Sequence, residues 1–189
     1  MKNAFFFSSF LVAIAFSIKL WVIEAYTIPS ASMQPTLNIG DRIWIKKRPM
    51  CAVKKGEIIA FHSPMEENVN YVKRCMGLPN DSIATLNGQF TLQKANPKAF
   101  AIPQKGQTIH LNSENFSFYQ PLLQDYEKVQ AGMIGDKMYI NNVLGDSYTF
   151  TQNYFYMLGD NQADSYDSRS WGLVPESHLI GKAFYIWKK

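Results

Sequence analysis

Apolar and polar residues along this chain fall into one long apolar run followed by many short alternating ones. Positions 4–23 form the run, twenty residues with Lys19 as the only charge. At about 1.5 Å per residue, a helix of that length spans about 30 Å, the thickness of a bilayer's hydrocarbon core. Lys19 lies near the outer end, where a long side chain reaches the interface. Trp21 and Tyr26 are placed as aromatic interface anchors. The run predicts a membrane anchor over 1–25. The rival reading is a cleaved leader, with Lys2 as charged start, Phe5–Val12 as apolar region and Ala13-Ile14-Ala15 as a small-x-small site. The run continues past Ala15 to Ile23, which a leader does not need, so the anchor is preferred. Orientation does not follow from charge, because Lys2 and the amino terminus stand against Lys19, Arg42 and Lys46.

After the run the period changes to two. Gly40-Asp41 makes a turn, and Ile43 and Ile45 then alternate with Arg42, Trp44 and Lys46 as a strand. Lys54–Glu57 is a second turn, leading into a short buried strand, Ile58–Phe61. Asn70–Met76 is the next strand, and its alternation turns Tyr71, Lys73 and Cys75 to one face and Val72, Arg74 and Met76 to the other. Ser82–Leu86, Asn87-Gly88 and Gln89–Leu92 predict a hairpin, since Asn-Gly suits a type I′ turn. Positions 93–110 are rich in turn residues and give no element. Phe116, Tyr119, Leu122, Leu123 and Tyr126 recur at helical spacing over 115–129, with Ser113 or Asn115 as cap and Pro121 inside the pattern. Lys137–Asn142 and Ser147–Phe150 predict another hairpin, Tyr154–Leu158 and Leu179–Trp187 two more strands. The body is therefore mainly β.

Composition narrows the class. The chain has 189 residues, 47% hydrophobic and 18% charged, with a net charge of +4. That is enough apolar content for a packed core and an anchor. The basic residues are scattered, densest at Arg42, Lys46, Lys47, Arg48, Lys54 and Lys55. They form no stripe on a recognisable nucleic-acid-binding fold, so no nucleic-acid partner is expected; a surface near anionic lipid suits them better. Cys51 and Cys75 are read as buried thiols, although one disulfide is possible outside the cytosol. His62, His110 and His178 are far apart and no Cys-x-x-Cys occurs, so no metal or other cofactor is expected.

The candidate chemistry begins at Thr27–Leu37. Ser30 and Ser32 lie two apart between Pro29 and Pro35, and in an extended segment both hydroxyls share a face. The same residues also make an ordinary turn. A serine hydroxyl needs a neighbouring base to become a nucleophile. No Gly-x-Ser-x-Gly elbow is present, which leaves lysine as an alternative to histidine. Lysine is a base only when burial disfavours its ammonium form. Lys73, on the strand face of Tyr71 and Cys75, has that setting if the face is buried; otherwise it is a solvated strand lysine. A third block, Gly159–Arg169, is dense in Gly, Asp, Asn and Ser, which fits a site loop or a plain Asx-rich loop equally.

Together Pro29-Ser30-Ala31-Ser32-Met33, Tyr71-Val72-Lys73-Arg74 and Gly159-Asp160-Asn161-Gln162-Ala163-Asp164-Ser165-Tyr166-Asp167-Ser168-Arg169 resemble the type I signal peptidases, the serine–lysine membrane proteases that cut leader peptides from exported proteins. The likeness runs from about Glu24 to Ala183. It implies a signal-peptidase-like β-fold of antiparallel sheets with a short inserted helix, preceded by one transmembrane helix. The protease domain would cover 26–189, with an insert over about 93–155 similar to Bacteroidota-type members. It also implies Ser32 as nucleophile, Lys73 as general base, Ser30 as oxyanion donor beside the Ser32 N–H, and Ser165 as the hydroxyl orienting the lysine. Asp167 and Arg169 would form a buried structural ion pair, with Asp160 close by. Ile28, Pro29, Met33, Leu37, Tyr71 and Val72 would build shallow pockets for small P1 and P3 side chains. The implied partners are signal peptides of secreted preproteins and the lipid bilayer. The implied location is the cytoplasmic membrane, with the domain on the outer side. Ala31 and Asn80 stand where glycine is common in the family, and neither position carries chemistry. A dedicated peptidase for one pilin or secretion substrate and a non-catalytic anchored homologue are the alternatives. A self-cleaving Ser–Lys repressor is not favoured, since no helix-turn-helix pattern occurs. The sequence leaves the oligomeric state open.

Overall fold

The computed structural model describes residues 23–47, 52–86, 89–92, 99–135 and 137–189. In chain order the strands are β1 (Ile23–Thr27), β2 (Arg42–Lys47), β3 (Ile58–His62), β4 (Asn70–Gly77), β5 (Ser82–Leu86), β6 (Gln89–Leu92), β7 (Phe100–Ala101) and β8 (Thr108–His110). A helix follows, α1 (Phe116–Pro121), continued by a π-helical stretch, Leu122–Tyr126. Then come β9 (Ala131–Ile134), β10 (Lys137–Ile140), β11 (Val143–Leu144), β12 (Ser147–Thr149), β13 (Tyr154–Leu158), the one-turn helix α2 (Ser168–Trp171), β14 (Val174–Pro175) and β15 (Leu179–Trp187). The mainly β body with antiparallel pairing and one short inserted helix agrees with the sequence pattern. The anchor expected over 1–25 lies, up to position 22, outside the described residues. Ile23 begins β1. Among the described residues no helix is long and apolar enough to cross a membrane.

The chain divides into two units. The first takes the chain up to Cys75 together with Leu158–Tyr166 and Leu179–Lys189; the second takes Met76–Met157 and Asp167–His178.

In the first unit the strand order is β1-β2-β15-β3-β4, all antiparallel. The alternation in β2 puts Ile43 and Ile45 wholly inside, where they pack with Ile28, Met33, Leu37, Ile58 and Ala60. Val72, Ala183 and Ile186 close over this core. Gly56 takes φ 88° in the turn before β3, a left-handed conformation that explains a glycine there.

In the second unit β5 and β6 form the expected hairpin, in register Leu86↔Gln89 around positions 87–88, which are not described. The hairpin expected between 137–142 and 147–150 is not formed. β10 pairs instead with β9 and β11, and β12 pairs with β8. The reason is the Asn141-Asn142 turn. Both residues take positive φ, 52° and 63°, which asparagine tolerates better than other side-chain-bearing residues. That two-residue turn sends the chain straight back at Val143, so Ser147–Thr149 is left for the otherwise unpartnered β8. Asn115 precedes α1, but its side chain does not cap it; its Oδ1 accepts from the Asn112 N–H at 2.8 Å. An aromatic chain fills the interior. Phe100 stacks on Phe118 at 5.0 Å, Phe118 meets Tyr119 edge-on at 4.8 Å, and Tyr119, Phe150 and Tyr154 follow. Cys75, on β4, is buried; Cys51 lies outside the described residues.

Candidate active site

The Ser30–Ser32 stretch is not extended throughout. Ser30 is extended, with φ −131° and ψ 162°, and Ala31–Met33 then make one 3₁₀ turn. The turn places the two hydroxyls together by a different route from strand alternation, with Ser30 Oγ 3.2 Å from Ser32 Oγ. It turns Met33 inward, to 1% exposure. The Gln34 N–H closes the turn on the Ala31 carbonyl at 3.0 Å, and the Leu37 N–H bonds the Met33 carbonyl at 2.8 Å.

On β4, Lys73 is 2% exposed and Cys75 0%. The face that alternation assigned to them is thus the buried one. The Lys73 amine donates to Ser165 Oγ at 3.0 Å. It also lies 5.7 Å from the centre of the Tyr71 ring. Burying an amine disfavours its charged form, because the ammonium loses water that the interior does not replace.

The loop from Gly159 to Ser165 joins the two. The Asn161 N–H donates to the Ser32 carbonyl at 3.0 Å, and Asn161 Nδ2 donates to the Ala31 carbonyl at 3.3 Å. Gly159 is a glycine because of close approach: a Cβ there would overlap both Ser165 Oγ and the Ser32 carbonyl oxygen. The Ser32 turn, Gly159, Ser165 and Lys73 therefore meet at one place.

Each unit holds one arginine–carboxylate pair, Arg74–Asp160 in the first and Arg169–Asp167 in the second. Arg74 grips Asp160 with both ends of its fork, at 2.7 Å and 2.5 Å, and reaches the Gly56 carbonyl at 2.6 Å and Thr36 Oγ1 at 3.3 Å. Burial pushes the Asp160 carboxyl up, but hydrogen bonds from Arg74 and Thr36 and the Arg74 charge outweigh it, so the carboxyl is held below its usual range. Asp167, 0% exposed, pairs with Arg169 at 2.8 Å and 2.9 Å and accepts the Arg169 N–H. Asp160 was expected only as a neighbour of the second pair; its partner is Arg74.

Of the six residues expected to line substrate pockets, Ile28, Met33 and Leu37 are 3%, 1% and 0% exposed and belong to the core. Pro29 is exposed, and Tyr71 and Val72 are half-buried, so these three present surface. Arg74, Thr36 and Asn161 were not assigned roles from sequence. For Arg74 a signal existed, an arginine beside the candidate base, but its partner lies 86 positions away. Among the described residues no cluster of side chains suited to a metal ion occurs.

Residues 1–188 match the family model described as signal peptidase, peptidase S26. The signal peptidase I of Buchnera aphidicola subsp. Acyrthosiphon pisum is 30% identical, over 97% of this chain and 73% of that protein. That of Pseudomonas aeruginosa is 28% identical, over 98% and 70%. That of Aquifex aeolicus is 28% identical, over 94% and 80%. The chain belongs to the signal peptidase family, peptidase S26, and is a serine peptidase.

Proposed function

We propose that this chain is a membrane-anchored endopeptidase that removes amino-terminal signal peptides from exported proteins after small-x-small sites. Ser32 is the nucleophile and Lys73 its base. The observation that carries the reading is the buried Lys73 amine held 3.0 Å from Ser165 Oγ, in a loop whose Asn161 also binds the Ser32 carbonyl. A lysine kept in the interior with a polar hydroxyl partner is suited to proton transfer rather than to a surface ion pair.

The Ser32 hydroxyl attacks the scissile carbonyl, and its proton passes to the neutral Lys73 amine. The new oxyanion is held by the Ser30 hydroxyl and the Ser32 N–H. The first N–H groups of a helical turn have no partner within the turn, so they point outward to receive charge. Collapse breaks the peptide bond, and Lys73 returns the proton to the leaving amine. Water, losing a proton to Lys73, then attacks the acyl-enzyme and frees Ser32. Ser165 keeps the amine aimed through both steps.

The substrate is taken as an added strand between 28–30 and 70–72. Ile28 uses its N–H on the Asp41 carbonyl and its carbonyl on the Gly40 N–H. Alternation therefore turns the carbonyls of Thr27 and Pro29 the other way, toward an incoming strand. Pro29, Tyr71 and Val72 touch the small P1 and P3 side chains. Ile28, Met33 and Leu37 back them from the core and leave no room for large ones. The apolar run before Ile23 anchors the chain in the cytoplasmic membrane, with the body on its outer face.

The test is cleavage of a synthetic leader with Ala at P3 and P1, in detergent. Wild type cuts after the P1 Ala, while Ser32→Ala and Lys73→Ala fall by about a thousandfold or more. Full activity of Lys73→Ala removes the lysine as base, and an inert wild type removes the reading.

A further inference from the structure

The Asn161 side chain does more than fasten a loop. A peptide unit is planar and trans, so its carbonyl oxygen and its N–H point in opposite directions on one rigid plate. The plate between Ala31 and Ser32 carries the Ala31 oxygen at one edge and the Ser32 N–H at the other. The Ala31 oxygen accepts two hydrogen bonds, from the Gln34 N–H at 3.0 Å and from Asn161 Nδ2 at 3.3 Å. The next plate, between Ser32 and Met33, carries the Ser32 oxygen, which accepts the Asn161 N–H at 3.0 Å. One residue thus grips both plates that flank the Cα of Ser32. The end of the side chain facing a carbonyl must be its NH₂, since a second oxygen there would repel.

We infer that Asn161 is a positioning residue for the oxyanion site: by holding the Ala31 oxygen from behind, its amide aims the Ser32 N–H at the developing charge. The inference rests on the proposed Ser32 chemistry and adds a residue to it. The hydrogen bond also polarises the plate, because accepting at the oxygen makes the N–H a stronger donor. The two grips separate cleanly. The one on the Ser32 oxygen comes from the backbone and survives substitution at 161. The one on the Ala31 oxygen comes from the side chain and does not. Replacing Asn161 therefore tilts the oxyanion donor while leaving the nucleophile's carbonyl tethered.

The experiment uses the full chain in detergent and three variants: Asn161→Asp, nearly the same shape but without the donor, Asn161→Ala, and Ser30→Ala combined with Asn161→Ala. Removing one oxyanion donor outright costs about 10²–10³ in kcat. A misaimed donor keeps part of its effect, so both Asn161 variants lose about tenfold in kcat with KM nearly unchanged, the signature of an interaction made only in the transition state. Two inhibitors read the same point. A peptide boronic acid ending in Ala-x-Ala, whose boron takes the Ser32 oxygen while the proton goes to Lys73, puts a boronate oxygen in the oxyanion position. Its affinity falls by the factor lost in kcat. A reduced-amide peptide of the same sequence has no carbonyl oxygen, and its affinity does not change. In the double variant the losses are less than multiplicative, because both residues serve one oxygen.

Equal weakening of both inhibitors would mean that Asn161 only supports the fold and would overturn the inference, as would wild-type kcat in Asn161→Asp. Both results require that wild type cuts the leader, so they leave the peptidase reading standing. An inert wild type overturns both.

Discussion

The two arginine–carboxylate pairs, one in each unit, have similar geometry and different jobs. Arg169 and Asp167 are two positions apart, and Asp167 is fully buried at the amino end of α2. Arg74 and Asp160 are 86 positions apart, and Arg74 also reaches Thr36 and the Gly56 carbonyl. The first pair neutralises a charge that its own turn has taken inside. The second ties the loop of Ser165 and the segment after Ser32 to the strand of Lys73. A buried local pair lost costs stability first; a partly exposed pair spanning three segments costs alignment first.

The comparison breaks most visibly at Arg169. Arg169→Met leaves the Asp167 carboxylate inside without its guanidinium. Removing one partner of a buried pair is strongly destabilising, here about 3 kcal/mol. For a chain of this size that is roughly 6–12 °C in Tm, read by thermal melting. Adding Asp167→Asn to Arg169→Met recovers part of the loss, because the stranded charge is gone. A melt unchanged in the single variant would show that Asp167 tolerates burial through its other hydrogen bonds.

Arg74→Gln is the sharper half of the contrast. Its side chain is 25% exposed and that of Asp160 16%, so the stability lost is about 1 kcal/mol. The rate falls further, by about tenfold to a hundredfold in kcat, because misplacement of a catalytic group by a fraction of an ångström to an ångström costs that much. Arg74→Lys keeps the charge, loses the fork, and falls between. Steady-state kinetics beside the melts checks it. If Arg74→Gln lost stability and rate in the reverse proportion, the two pairs would be doing the same job.

These pairs also mark where the sequence was legible. That Lys73 and Cys75 share a face follows from period-two alternation, a local rule of any strand; that this face is the buried one does not, since Val72 and Met76 make the other face as apolar. The 5–6 hairpin followed from Asn-Gly. The β9–β11 meander does not follow in the same way, because Asn141-Asn142 continues the polar end of a strand in sequence and becomes a two-residue turn only through its positive φ angles. The Ser30–Ser32 proximity was foreseen with the wrong backbone: proline flanks stiffen the segment, yet the turn between them is helical. Ser165 was found only through resemblance, since an Asx-rich loop reads the same with or without a lysine beside it. Arg74–Asp160 and the grip of Asn161 on two carbonyls were not legible. Pairing across 86 positions depends on the folded sheet, and hydrogen bonds to backbone oxygens leave no pattern in side-chain types.

The smallest effect is also the most specific to the long-range pair. The folded Asp160 carboxyl holds its proton less readily than in the unfolded chain, because Arg74 and Thr36 outweigh the burial that pushes it up. A depressed pKa contributes stability that is present above the unfolded value, about 3.9, and is lost as pH falls through the folded one. Asp41 and Glu57 are shifted the same way, Asp41 by the Asn38 and Lys189 N–H groups, Glu57 against the burial that raises it by Lys182 and the Lys54 N–H. Wild type therefore loses stability from several carboxylates below about pH 4, and its curve alone assigns nothing to Asp160. Subtracting the curve of Asp160→Asn isolates the pair. The gap between the two is constant near neutral pH and narrows as acid protonates the folded Asp160. Unfolding by urea at intervals from about pH 6 to about pH 3 measures it. Curves that stay parallel throughout would mean that the carboxylate is held no more tightly folded than unfolded. Arg74 would then align the site through its contacts with Thr36 and Gly56 rather than through Asp160.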